Sequence, residues 1–311
     1  MKEFDIAILG GGVTGLAAAV YSARFNMKTI VFGGRLGGLI QDTHLVENYP
    51  GFKSISGFDL SQNILNHAKA YPEQVTINEE LVKDVEKTKD GFLVKGAKTN
   101  VKAKTILFAT GTRRRKLNVP GEKEFANKGV SYCVTCDGPL FKGKKCIIIG
   151  GSDSAVKESL LLAEYASKVY IVYRKEKVHP EPINMKRAEE LIKKGKIEII
   201  GNTNVVEVKG DKFVSSVIFD KAYKGSKEFK CESVFIEIGH IVESELAKKL
   251  GVKLDEKGEI IINFDSKTNV AGVYAGGDVV ARAWKQAIVG VAEGVLGVNS
   301  AYEYIQEQKV K

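Results

Sequence analysis

The tightest chemical constellation in the chain is Cys133-Val134-Thr135-Cys136-Asp137. Two thiols at this spacing can close a small disulfide ring, and one can attack a partner's disulfide while the other resolves the mixed species. An acid directly after the second thiol can carry the proton that such exchange moves. The spacing alone also admits half of a zinc site, or two inert structural thiols. A structural zinc needs two further ligands at related spacing. Neither Cys146 nor Cys231 belongs to a second C-x-x-C, and the four histidines are dispersed. No metal is therefore expected, and Cys133, Cys136 and Asp137 are the candidate catalytic residues. Cys146 falls in an apolar strand pattern and Cys231 in a lysine-rich hairpin pattern, where a thiol is ordinarily incidental to chemistry.

These thiols sit between two copies of one pattern. Phe4 to Leu9 is an apolar run of strand formers that leads into Gly10-Gly11-Gly12-Val13-Thr14-Gly15. A small-residue helix face from Leu16 to Tyr21 follows, and Thr29 to Phe32 reads as a second strand. This is a βαβ unit with glycines at its first turn. In G-x-G-x-x-G, Gly10 allows the turn, Gly12 lets backbone approach a pyrophosphate, and Gly15 lets helix pack on strand. The helix start then offers N–H groups to the phosphates. The pattern recurs as strand Lys145–Ile149, turn Gly150 to Ala155, helix Val156 to Tyr165 and strand Lys168–Tyr173, about 140 residues later. Two such units imply two nucleotide sites. The acid usually found about 20 residues after the first turn to bind a ribose is missing, and Gly33-Gly34-Arg35 stands there, continued by Gly37-Gly38. That segment reads as a second loop approaching phosphate.

Composition excludes other classes. The length of 311 residues suggests about two domains. Net charge is +9, but the only tight basic cluster is Arg113 to Lys116, where a nucleic-acid binder would show a longer stripe or a known motif. A basic surface that attracts acidic small molecules or an acidic partner is the expected reading. No apolar run reaches the roughly 18 residues of a membrane helix. A strand pattern begins almost at once, so no signal peptide is expected. Four cysteines, two of them C-x-x-C, suit a reducing cytoplasmic compartment. Proline is scarce and no low-complexity linker appears, so domain boundaries should be strand crossovers.

Together these motifs resemble the low-molecular-weight thioredoxin reductases along nearly the whole chain. Gly10 to Gly15 resembles that family's FAD pyrophosphate loop. Gly37-Gly38, with Val46-Glu47-Asn48-Tyr49-Pro50-Gly51, resembles its second FAD loop and its V-E-N-[WY]-P-G signature. Ala109-Thr110-Gly111 resembles the A-T-G turn behind the flavin, and Cys133 to Gly138 its C-A-T-C-D-G active site. Gly277-Asp278 resembles the pair whose acid binds the ribityl chain, and Lys285-Gln286-Ala287 the R-Q-A segment facing the isoalloxazine. The resemblance implies an α/β fold of two Rossmann-like domains, the second inserted in the first. An FAD domain would span residues 1–113 and 242–311, and a pyridine-nucleotide-type domain carrying the dithiol would span 114–241. FAD contacts would come from Gly10, Gly12, Val13, Thr14, Gly15, Gly33, Gly34, Arg35, Gly38, Leu39, Ile40, Asn48 and Val82. Others would be Ala109, Thr110, Gly111, Gly277, Asp278, Val279, Lys285, Gln286 and Ala287. Electrons would pass from NADPH to FAD, to Cys133–Cys136, and on to a thioredoxin- or glutaredoxin-like protein. Cys136 would lie nearer the flavin, Cys133 would attack the substrate, and Asp137 would be the acid/base. A homodimer is implied by the resemblance alone.

The departures gather at the second turn. The family pattern G-G-G-D-S-A appears here as Gly150-Gly151-Ser152-Asp153-Ser154-Ala155, so Ser152 stands where backbone would meet pyrophosphate. The family's H-R-R-x-x-x-R appears as Tyr173 to His179, in which Arg174 and Lys175 keep two cations for a 2′-phosphate and His179 replaces the last arginine. The NADPH site would comprise Gly150, Gly151, Ser152, Asp153, Ser154, Arg174, Lys175 and His179. The same dithiol–flavin chemistry fed by NADH, ferredoxin or a deazaflavin is the alternative, as is a non-enzymatic flavin redox sensor.

Overall fold

A computed structural model describes residues 1–310 and resolves two compact units, one of residues 1–113 and 242 onward, the other Arg114–Ile241. In chain order the first unit holds β1 (Lys2–Leu9), α1 (Val13–Arg24), β2 (Thr29–Phe32), α2 (Gly57–Lys69), β3 (Val75–Asn78), β4 (Val82–Thr88), β5 (Gly91–Gly96) and β6 (Asn100–Phe108). The chain leaves it in β7 (Thr112–Arg114). The second unit holds β8 (Val130–Ser131), α3 (Val134–Asp137), β9 (Lys145–Ile149), α4 (Asp153–Tyr165), β10 (Lys168–Val172), α5 (Pro182–Lys193) and β11 (Ile197–Ile200). It continues with β12 (Val205–Gly210), β13 (Val214–Tyr223), β14 (Ser226–Lys230) and β15 (Ser233–Ile236), and the chain returns in β16 (His240–Val242). Then α6 (Glu245–Lys249), β17 (Val273–Ala275) and α7 (Ala287–Val310) complete the first unit. The α/β class implied by the repeated βαβ pattern is borne out. Helix α7 runs to Val310, and its last turn carries polar residues that face solvent.

The first unit's sheet runs β3-β2-β1-β6-β5-β4, with β17 paired to β6. Strands β3, β2, β1, β6 and β17 pair in parallel, and β4–β5 and β5–β6 pair antiparallel. Covered on both faces, the central strands are apolar without alternation, and every residue of β2 is buried. Their side chains still point alternately: Ala7 and Leu9 join one core cluster, Ile6 and Ile8 the other, beneath α1 and α7. Helix α7 can lie across the start of α1 because Gly290 and Gly294 face it; a Cβ on either would come within 2.7 Å of Thr14.

The second unit repeats the plan with a five-stranded parallel sheet, β11-β10-β9-β15-β8, and adds the antiparallel sheet β12-β13-β14. Here Ile147 and Ile149 face one core and Cys146 and Ile148 the other. Because both faces of β9 are covered, Cys146 is buried, whereas Cys133, two residues beyond β8, is half-buried.

Candidate active site

Strand β8 ends at Ser131, and the chain turns through Tyr132 into α3, a single helical turn. Cys133 and Cys136 are joined as a disulfide with their Cα atoms 5.3 Å apart. Cys136 is exposed and Cys133 half-buried. The Cys136 N–H donates to Cys133 Sγ at 3.1 Å, a contact that favours thiolate at that sulfur once the disulfide opens. Asp137 closes the turn: its N–H donates to the Cys133 carbonyl at 3.1 Å, and its Oδ2 accepts the Ser131 hydroxyl at 2.6 Å. The other two cysteines are unsuited to exchange. Burial pushes the Cys146 thiol up to about 11, and burial pushes Cys231 higher still. Both are neutral near pH 7, and the nucleophile is the thiolate.

In the first unit the Gly10 turn is built by contact with the neighbouring strand. Gly10 has φ +131°, and a Cβ there would lie 1.9 Å from the Ala109 carbonyl oxygen. Gly15 is equally constrained, its Cβ position falling 2.0 Å from the Gly10 carbonyl oxygen. Gly12 differs, because a Cβ there would meet only the Gly38 Cα, at 3.9 Å. No protein contact explains that glycine, whereas an approaching phosphate would. Above it, α1 starts with no side-chain cap and no acid in its first turn, leaving the amides around Val13 and Thr14 for an anion. The Gly37 N–H donates to the Gly11 carbonyl at 2.7 Å, which brings Gly38 and the turn of Leu39 and Ile40 alongside. Gly33 is small for another reason: its Cβ would strike the Gly11 Cα at 2.6 Å. Gly34 packs on Leu81, and Arg35 is held by Asp42 at 2.5 Å.

Other expected flavin contacts converge within this unit. Asn48 Nδ2 donates to Gln286 Oε1 at 3.1 Å although 238 positions separate them. Lys285 Nζ donates to Glu259 at 2.6 Å and to the Asp278 carbonyl at 2.8 Å, while Asp278 itself is exposed beside buried Gly277. Thr110 Oγ1 donates to the Glu243 carbonyl at 2.6 Å, Gly111 has φ +61°, and Val82 is half-buried on β4. Val279 is fully buried, which leaves only its backbone to a ligand. Ala287 opens α7. An open glycine floor, an uncapped helix start and an exposed acid fit a pyrophosphate carrying a polyol, as FAD does. Glu293 was not legible as part of this site. Only 4% exposed, it accepts the Gly277 N–H at 2.9 Å and Arg282 Nε at 2.8 Å, fixing the turn that presents Asp278.

The second turn repeats this backbone with different side chains. Gly150 has φ +151°, and its Cβ would meet the Glu237 carbonyl oxygen at 2.2 Å. The Tyr173 ring covers Gly151, 2.5 Å from where a Cβ would be. The His179 N–H donates to the Gly151 carbonyl at 2.8 Å, and Tyr173 Oη lies 3.4 Å from His179 Nδ1. Ser152 caps nothing with its side chain; its Oγ is 3.0 Å from Ser154 Oγ. Asp153 Oδ1 accepts from the Glu181 N–H at 2.7 Å and Asn184 Nδ2 at 2.9 Å, so its charge is engaged. Arg174, Lys175 and His179 are exposed at the end of β10. A phosphate fits this cationic margin, with Ser152 rather than bare backbone at its floor.

Residues 4–294 match the model of the pyridine nucleotide-disulphide oxidoreductase family. The chain belongs to that family. It is 36% identical to a thioredoxin reductase of Bacillus subtilis, over 98% of this chain and 96% of the relative. Among solved structures it superposes on the thioredoxin reductase of Lactococcus lactis with a TM-score of 0.91 at 34% identity, covering 98% and 99% of the two chains. On that of T. acidophilum the TM-score is 0.90 at 36% identity, with both chains covered in full. The family implies a flavin and a pyridine nucleotide. No helix among the described residues is long and apolar enough to cross a membrane.

Proposed function

We propose that the chain is a cytosolic thioredoxin-disulfide reductase dependent on FAD and NADPH. The observation that carries this reading is the accessible Cys133–Cys136 disulfide with Asp137 on the same helical turn. FAD, when bound in the first unit, supplies the two electrons that open this disulfide. The chain's own residues do the rest. The Cys133 thiolate, favoured by the Cys136 N–H, attacks the disulfide of a thioredoxin- or glutaredoxin-like protein. Cys136 resolves the mixed disulfide, and Asp137 moves the accompanying proton. Gly12, the start of α1, Asp278 and the Lys285–Ala287 segment hold FAD. Arg174 and Lys175 are the cations for an NADPH 2′-phosphate. The family likeness also makes a homodimer the expected assembly, which light scattering would test.

Anaerobic titration with NADPH should bleach the flavin, and oxidised thioredoxin added afterwards should gain two thiols per NADPH consumed. A Cys136→Ser protein that turned over thioredoxin at the wild-type rate would sink the dithiol assignment. A second reading keeps the dithiol and replaces the donor, favoured by the Cβ that Ser152 places at the floor of its turn. Bleaching by NADH or reduced ferredoxin, with NADPH inert at millimolar concentration, would select it. Steady turnover with any donor excludes a non-enzymatic sensor.

A further inference from the structure

We propose that Ser131 is a positioning residue for the dithiol, setting the Asp137 carboxylate where it exchanges protons with the cysteines. The inference rests on the reading of Cys133–Cys136 as an exchanging pair. Ser131 is only 5% exposed and belongs to β8, whose partner β15 lies within the parallel sheet (Ser131 opposite Phe235). Its backbone is therefore fixed by the core. Its hydroxyl has one proton and two acceptors within reach: Asp137 Oδ2 at 2.6 Å and the Cys133 carbonyl at 3.4 Å. Distance decides for the carboxylate. A lone pair of the same oxygen accepts the Cys133 N–H at 3.1 Å.

The result is a closed circuit. Ser131 accepts from the Cys133 N–H and donates to the Asp137 carboxylate, and the Asp137 N–H donates to the Cys133 carbonyl. The neighbouring residue is anchored separately, since Tyr132 Oη donates to buried Glu122 at 2.5 Å. With Oδ2 tied to Ser131, the Asp137 carboxylate is held in one orientation on the turn that carries the cysteines. Helical geometry alone would not fix this, because a half-buried carboxylate on a single turn can still take more than one staggered rotamer.

In the exchange, the Cys133 thiolate bonds one sulfur of the partner's disulfide, whose other sulfur leaves as a thiolate. The Cys136 thiol then loses its proton to Asp137 and bonds Cys133 Sγ, expelling the first partner sulfur. Asp137 passes its proton to one departing thiolate and solvent protonates the other. Two electrons have moved from the cysteine pair to the partner. Ser131 takes part in no bond change; it sets where the proton waits.

A double-mutant cycle separates this role from simple support of the backbone. Full-length protein is reduced anaerobically with dithionite, freed of reductant and mixed with hydroxyethyl disulfide. Closure of Cys133–Cys136 is followed by acid quench, alkylation and mass spectrometry. Ser131→Ala should slow closure about thirtyfold, short of the roughly hundredfold or more that loss of an acid–base group costs, because Asp137 itself remains. Ser131→Thr, which keeps the hydroxyl, should stay within about threefold of wild type, and the flavin absorbance of each variant reports that it has folded. In an Asp137→Asn background the added Ser131→Ala change should cost less than about twofold, because no proton remains to be placed. An equal loss in both backgrounds overturns the inference and leaves the proposed function standing, and so does a wild-type rate for Ser131→Ala. Wild-type protein that never reacts with the disulfide overturns the function itself, and the inference with it.

Discussion

The two glycine turns share a backbone and differ in what they leave open. Gly10 and Gly150 both take positive φ against a carbonyl oxygen of the next strand, Ala109 in one unit and Glu237 in the other. In both, a distant segment bridges the third turn residue, Gly37 to Gly12 and His179 to Ser152. A side chain covers the second residue of each turn, Leu36 over Gly11 and the Tyr173 ring over Gly151, but the third residue is bare at Gly12 and carries a side chain at Ser152, with His179 beside it. The positions required by the fold coincide, and the positions that meet a ligand do not. A glycine whose Cβ would strike the protein, or whose φ is positive, reports on folding; one with ordinary φ and room for a Cβ, as at Gly12, points to a ligand.

That distinction can be broken by substitution. The largest effect is expected from Gly10→Ala and Gly150→Ala, where Cβ would fall 1.9 and 2.2 Å from carbonyl oxygens. Each should cost about 3 kcal/mol in denaturant unfolding, from strain and backbone displacement. A loss in one but not the other would end the equivalence of the turns. Gly12→Ala should leave the unfolding midpoint nearly unmoved yet weaken FAD about tenfold, measured by flavin release on dilution, which corresponds to about 1.4 kcal/mol. If Gly12→Ala instead unfolds the protein and retains flavin, its glycine belongs to packing. Ser152→Gly restores the bare floor and should lower the KM for NADPH about threefold; an unchanged KM would show that Ser152 does not limit the second site.

The smallest effect is a pH dependence confined to the second unit. Hydrogen bonds from Lys168, then Lys224 and Tyr223, pull the Glu198 carboxyl from 4.5 down to about 2. A depressed carboxyl contributes stability that is fully present above 4.5 and lost as pH falls toward 2. Glu198→Gln should flatten acid unfolding across that window by about 1 kcal/mol at most, the ceiling for exposed pairs. Unaltered acid sensitivity would show that the ion pairs contribute nothing.

What was legible in the chain was local. The C-x-x-C-D turn, the two βαβ patterns and the apolar runs of β1, β2, β9 and β10 depend on residues a few positions apart. The contacts that tune the site join distant residues. Asn48 meets Gln286, Glu293 holds the Gly277 turn, and His179 bridges Ser152, and no spacing rule connects them. Ser131 lies only six residues before Asp137, yet its part depends on where β8 stops and α3 begins, which is set by pairing with β15. Gly33 shows the reverse case. It reads as a phosphate-approach glycine, but contact with Gly11 already explains its size.

The burial of Cys146 and Cys231 has a consequence under oxidative stress. Peroxide attacks accessible thiolates, and its first product, a sulfenic acid, is rescued when a second thiol condenses with it. Among the described residues Cys136 is the exposed cysteine, its disulfide partner Cys133 lies three positions away, and the two lone thiols are shielded. Oxidation of the cysteines is thus channelled into the same disulfide that opens and closes in each turnover, so a molecule oxidised there is already one that the next two electrons restore.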